Sequence, residues 1–263
     1  MPLNYQLAED ARPQVTLLLI ATAVSVGLWI VGWYMPLVGY IVYPLQLFAT
    51  FIHESGHALA TVITGNTVTS LTVSPDTSGA VWSQSSGISS LFISSAGYVG
   101  TTAFGTLLLV WMRYGFSSRL ALYISSGLVG VMTIVFGFLA PFWNFLANVT
   151  FGSVVFTVVS GAFLTAGLFA IAKFASEKWV NFSLAFLAVQ CLLNAFFSLK
   201  TLFVISAATD QSSDAANMAL ATGVPALFWV ILWIGISLIM ITTGIRLYAT
   251  SKGPKPADSL FED

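Results

Sequence analysis

Charge is nearly missing from this chain. Only 7% of its 263 residues are Asp, Glu, Lys or Arg, whereas an ordinary soluble domain is about a quarter charged. So few charges cannot cover a globular surface, which excludes a soluble domain and makes lipid the main solvent. Net charge is −1, so there is no basic footprint for nucleic acid. Cysteine is reduced to Cys191, which excludes an internal disulfide. Histidine occurs twice, so no site here can be built from three imidazoles. The polar N-terminus lacks the basic n-region and short apolar core of a cleaved signal. The first apolar segment is therefore read as a retained helix.

What is present is apolar. Hydrophobic residues make up 57% of the chain, with a mean hydropathy of +0.90. About 20 apolar residues span a bilayer as a helix. Seven stretches suit that length: residues 15–35, 37–63, 88–112, 120–139, 149–172, 180–202 and 223–248. The expected fold is an all-α polytopic membrane protein of six to eight transmembrane helices, seven by this division. It forms one domain over residues 1–250, with a short disordered tail over 251–263. Small residues at close spacing, Ala96 with Gly100 and Gly161 with Thr165, suit tight helix packing in lipid.

Residues 65–87 break the helical pattern. Val68, Leu71 and Val73 are followed by Ser74-Pro75-Asp76-Thr77-Ser78-Gly79, then Ala80-Val81-Trp82. Strand, turn, strand is the simplest reading, which predicts a hairpin over 66–84. Its plain role is to connect two helices. Its functional role would be an open strand edge, with Val81 and Trp82 on it, holding an extended peptide by backbone hydrogen bonds.

Lys and Arg near segment ends bear on orientation. Arg113 with Arg119, Lys173 with Lys178, and Arg246 with Lys252 and Lys255 form three groups. With seven spans all three lie on one side, which the positive-inside rule makes cytoplasmic and which puts the hairpin outside.

Both histidines fall in one short apolar stretch as His53-Glu54-Ser55-Gly56-His57. Residues four apart in a helix share a face, about 6 Å apart along the axis. Two imidazoles so placed can grip one Zn²⁺ while the glutamate acts as general base. The bland alternative is chance. It carries a burden, because an unpaired acid at mid-membrane costs roughly 2.5–3.5 kcal/mol and is functional by default. A proton or ion pathway, or a membrane scaffold that kept the motif without activity, are the competing readings. A transporter should show inverted repeats, and the motif segment has no repeat in the second half.

A catalytic zinc usually has three protein ligands, so the third must be Asp, Glu or Cys191. Glu177 reads as a solvated interface charge. Asp258, Glu262 and Asp263 lie in the tail, and Asp76 sits in the hairpin turn for backbone reasons. Cys191 in an apolar helix reads as a small core residue. Asp210 and Asp214 remain, and either could cap the following helix or ligate.

Phe51-Ile52-His53-Glu54-Ser55-Gly56-His57-Ala58-Leu59-Ala60 resembles the zinc-binding helix of the site-2 protease family of intramembrane metallopeptidases. The hairpin from Val73-Ser74-Pro75-Asp76 to Trp82 also matches. So do Gln190-Cys191-Leu192-Leu193-Asn194, Ser213-Asp214-Ala215, and Gly223-Val224-Pro225 through Trp229. They point to a small branch of the family without a PDZ domain. The resemblance implies a zinc metalloendopeptidase that cuts transmembrane proteins, with Zn²⁺ on His53 and His57 and Glu54 catalytic. It implies that a sheet edge near the site receives the substrate, and a cytoplasmic position for zinc and hairpin, contrary to the charge count. The family's third ligand is an aspartate in Leu-Asp-Gly, preceded by Asn-x-x-Pro. Neither motif is intact here. Asn194 stands where that asparagine would be, followed by Phe197 instead of proline. Asp214 in Ser-Asp-Ala is the expected third ligand, with Asp210 as the alternative. The expected partners are the lipid bilayer and a transmembrane substrate, and the expected location is the cell membrane.

Overall fold

The computed structural model describes residues 12–85, 87–208 and 213–249. Asp210 and the tail over 251–263 lie outside the described residues. Helices α1 (Arg12–Tyr34) and α2 (Pro36–Ile63) lead into β1 (Thr67–Val73) and β2 (Gly79–Gln84). Then follow α3 (Ile88–Arg113), α4 (Ser118–Met132), a π-helical segment Thr133–Leu139 and α5 (Ala140–Trp143). Last come α6 (Phe151–Phe174), α7 (Glu177–Ala208), α8 (Asp214–Thr222) and α9 (Ala226–Ala249). The protein is a mainly helical, multi-pass membrane protein with one small hairpin.

Among the described residues, six helical spans are long and apolar enough to cross a membrane: α1, α3, the continuous rod Ser118–Trp143, α6, α7 and α9. The second apolar stretch of the sequence, α2, is 28 residues long but is not among them. Gln46, two prolines and the His-Glu-Ser-Gly-His segment dilute its hydropathy. The count stays within the range of six to eight. Arg119 at the start of α4 donates to Ala172 O and Ala175 O at the end of α6. Those two helix ends therefore share one side. Arg119 here caps carbonyls that α6 leaves without an intrahelical donor.

The hairpin forms as the residue pattern predicts, antiparallel, with Leu71 opposite Val81 and Val73 opposite Gly79. It is more than a connector. Leu71 and Val73 are fully buried inside the helix bundle. Non-helical backbone is tolerated at membrane depth only where protein covers it. The cover here is specific. Thr157 Oγ1 of α6 accepts from Val73 N at 2.8 Å, and Asn144 Nδ2 donates to Thr69 O at 3.4 Å. The outer edge of β1 is thus closed by side chains.

The π-helical segment makes room for β1. Pro141 has no N–H to return to Gly137 O, which loosens the ladder one turn earlier. A Cβ on Gly137 would sit 3.0 Å from Thr157 Cγ2 and 3.7 Å from Leu71 O. The bare backbone of Gly137 therefore lets the π-helical segment, α6 and β1 meet.

Candidate metal centre

The motif helix α2 and the incoming α3 approach closely at glycines. Gly56 is pressed against Ala96 O, and its Cα lies 3.6 Å from the position of a Cβ on Gly100. This contact presents one face of α2 to α3. Thr50, Glu54 and His57 share that part of the helix, at the three- and four-residue spacings that bring side chains together. His57 Nδ1 donates to Ile93 O of α3 at 2.6 Å. That bond fixes the tautomer and turns the lone pair of Nε2 towards the site, as the outer nitrogen of a metal-ligating histidine usually requires. His53 packs edge-on to Tyr98, ring centroids 4.6 Å apart. Tyr98 in turn stacks on Trp233 of α9 at 5.3 Å, and Trp233 Nε1 donates to Ser95 Oγ at 3.0 Å. Rings from α3 and α9 therefore hold His53 in place.

Asp214 closes the cluster from α8. Its Oδ2 lies 3.3 Å from His57 Nε2 and 3.7 Å from His53 Nε2. The two Nε2 atoms are 3.1 Å apart. Of the two roles open to Asp214, cap or ligand, the cap falls to its neighbour. Ser213 is the cap, its Oγ accepting from Ala216 N at 3.2 Å. Asp214 is the first residue of α8, and its carboxylate is released to face the histidines at the helix N-terminus, where negative charge is favoured. Burial works against that carboxylate, but with no metal bound the protonated imidazoles of His57 and His53 outweigh it and hold the carboxyl below the usual range.

The three ligand atoms suit a metal. Corners of a tetrahedron around zinc with bonds of about 2.0–2.2 Å stand about 3.3–3.6 Å apart. The edges observed, 3.1, 3.3 and 3.7 Å, bracket that range. His53, His57 and Asp214 are the one group of three potential ligands brought together among the described residues. The donor set of two nitrogens and one carboxylate oxygen fits zinc. The approach of α3 is just as close. A Cβ on Gly97 would run into His53 Nε2 and His57 Nε2.

The other candidates fall out as the residues suggested. Cys191 is fully buried in the apolar core. Glu177 opens α7 in its first turn. Asp76 Oδ1 accepts from Ser78 N at 3.0 Å and Ser78 Oγ at 2.6 Å, a turn role. These bonds hold its carboxyl below the ordinary value.

Glu54 is 4% exposed and packs against the start of β2. A Cβ on Gly79 would fall 2.6 Å from Glu54 Oε1 and 2.7 Å from its Cγ. The hairpin is pinned here by α2. Thr50 Oγ1 donates to Thr77 O at 2.7 Å, and Tyr43 OH donates to Pro75 O at 2.8 Å. A cavity of about 1160 Å³ opens over the site, lined by the three ligands, Glu54 and β2, with Val81 and Trp82 included. Asn194 of α7 lines the same cavity, its Oδ1 accepting from Ser198 Oγ at 3.4 Å. The edge of β2 away from β1 carries no strand among the described residues. His53, Glu54, His57, Val81, Trp82, Asn194 and Asp214 therefore line one cavity, while the alternative ligand Asp210 lies outside the described residues. Sequence reasoning missed Gly79, Gly97 and Tyr98. Their role comes from approach across the fold, and only the density of small residues in α3 hinted at it.

Spans, buried cluster and adjacent glutamate together define a multi-pass membrane protein of metallopeptidase type. The family model described as Peptidase M50B-like matches residues 17–244, and the chain belongs to that family. No curated protein and no solved structure matches it.

Proposed function

We propose that this protein is a zinc-dependent intramembrane endopeptidase. His53, His57 and Asp214 hold the metal, and Glu54 is the general base and acid. The observation that carries this reading is the triangle of Nε2, Nε2 and Oδ2 at 3.1–3.7 Å beside a buried glutamate in the same cavity. When bound, zinc supplies an open position for water and polarises the scissile carbonyl. Glu54 accepts the proton of the attacking water and returns it to the leaving amine. Its burial keeps bulk solvent from competing for that proton.

The substrate is a transmembrane protein, unwound locally and laid along the free edge of β2. Backbone groups of residues 79–83 recognise it as an added strand. Trp82, 46% exposed, and Val81 border its side chains, and Asn194 faces it from α7. The pins from Tyr43 and Thr50 hold that strand at a fixed distance from Glu54.

The test is zinc per chain in detergent-purified protein. About one zinc is expected in the wild type, with His57→Ala and Asp214→Ala each losing it. A zinc-loaded wild type that keeps its metal in both variants would overturn the ligand set. A second expectation concerns the strand. Gly79→Ala forces Glu54 off its position while leaving the three ligands untouched. Cleavage of a transmembrane substrate should fall at least about tenfold, as for a misplaced catalytic group, with zinc content unchanged. Equal cleavage in Gly79→Ala would remove the contact between β2 and Glu54 from the mechanism.

A further inference from the structure

A second cavity lies on the opposite face of α7 from the metal centre. It holds about 330 Å³ between α3, α7 and α9. Its walls are apolar, with Phe196, Leu199, Leu238 and Ile241 among them. Its polar floor is already satisfied, because Thr102 Oγ1 and Ser237 Oγ are 3.0 Å apart and bond to each other. One group is out of keeping. Lys200 borders this cavity, is exposed, and belongs to a membrane span. None of the four acids among the described residues answers it. Asp214 is engaged with the histidines, Glu54 is buried against β2, Asp76 is bonded to Ser78, and Glu177 begins the far end of α7. A cation inside a span marks a ligand or pathway by default.

Depth and charge decide what it meets. The 32 residues of α7 make a helix of about 48 Å at 1.5 Å per residue. The hydrocarbon core is about 30 Å thick, so α7 projects beyond it. Lys200 lies eight residues before Ala208, roughly 12 Å from that end. Its long side chain can carry the ammonium to the level of the headgroups, while the groove runs inward beside it. The groove beside Lys200 is apolar along Leu199, Leu238 and Ile241, which suits an extended acyl chain, and the ammonium at its mouth is the charge complement of a phosphate.

We infer that the groove between α7 and α9 is a binding site for an anionic phospholipid, with the phosphate on Lys200 and one acyl chain along Leu199, Leu238 and Ile241. The site lies apart from the metal centre and stands whether or not the chain is a peptidase. The experiment is native mass spectrometry of the full chain released from nanodiscs containing equal phosphatidylglycerol and phosphatidylcholine. The wild type is expected to retain one phosphatidylglycerol in preference to phosphatidylcholine. Lys200→Met should cut that preference about fivefold, the factor expected for one lysine near an anionic headgroup, and Lys200→Arg should keep it. Leu238→Trp, which fills the groove and spares the charge, should abolish retention. Unchanged retention by Lys200→Met or by Leu238→Trp, or no preference between the two lipids in the wild type, overturns the proposal. Lys200 would then be a lysine that only reaches for the interface.

Discussion

Replacing Glu54 by Gln is expected to cut cleavage about 10²–10⁴-fold, the usual worth of a positioned general base, with zinc still bound. The substitution is close to isosteric. It removes the acceptor and leaves the contact with Gly79. Glu54 is not among the three groups brought within coordinating distance, so metal affinity should hold. Gln also places no charge in the buried site, so the fold loses nothing. A metal assay beside a cleavage assay separates the outcomes. Zinc near one per chain with cleavage lost supports the proton-transfer role. Cleavage at the wild-type rate would end that role. Loss of zinc together with activity would make Glu54 part of the metal's own shell.

The His-Glu-x-x-His spacing and the hairpin were legible because both rest on local rules. Helical periodicity places His53 and His57 on one face, and turn chemistry at residues 74–79 sets the strand pair. The choice between Asp210 and Asp214 was not legible, because a capping aspartate and a ligating one look alike in sequence. In the fold Ser213 takes the cap of α8 and Asp214 lies beside the two histidines, whereas Asp210 falls outside the described residues. The depth of the hairpin was also hidden. Alternating residues predict a strand, but only the packing of Thr157 and Gly137 against β1 makes its burial possible. The apolar stretch of α2 has polar groups set into it because Glu54 and His57 lie on a face buried within the protein.

Gly97→Ala is expected to abolish zinc binding while leaving the helix bundle intact. Alanine favours a helix interior over glycine by about 1 kcal/mol, so α3 itself gains. The new methyl, however, would occupy the space of the His53 and His57 ligand nitrogens. Neither imidazole has an easy retreat. His57 is tied to Ile93 O through Nδ1, and His53 is backed by the Tyr98 ring. Nor can α3 withdraw without giving up the Gly56 contacts at Ala96 and Gly100. Disturbing only the outer shell of a zinc site costs about 10–100-fold in metal affinity, and displacing two ligand atoms should cost at least that. The pattern differs from Glu54→Gln and Gly79→Ala, where metal stays and cleavage falls. Here metal and cleavage should vanish together, with the helical content of the metal-free protein kept. Full zinc occupancy in Gly97→Ala would mean that the histidines bind from another direction, and the site as assembled from α2, α3 and α8 would have to be redrawn.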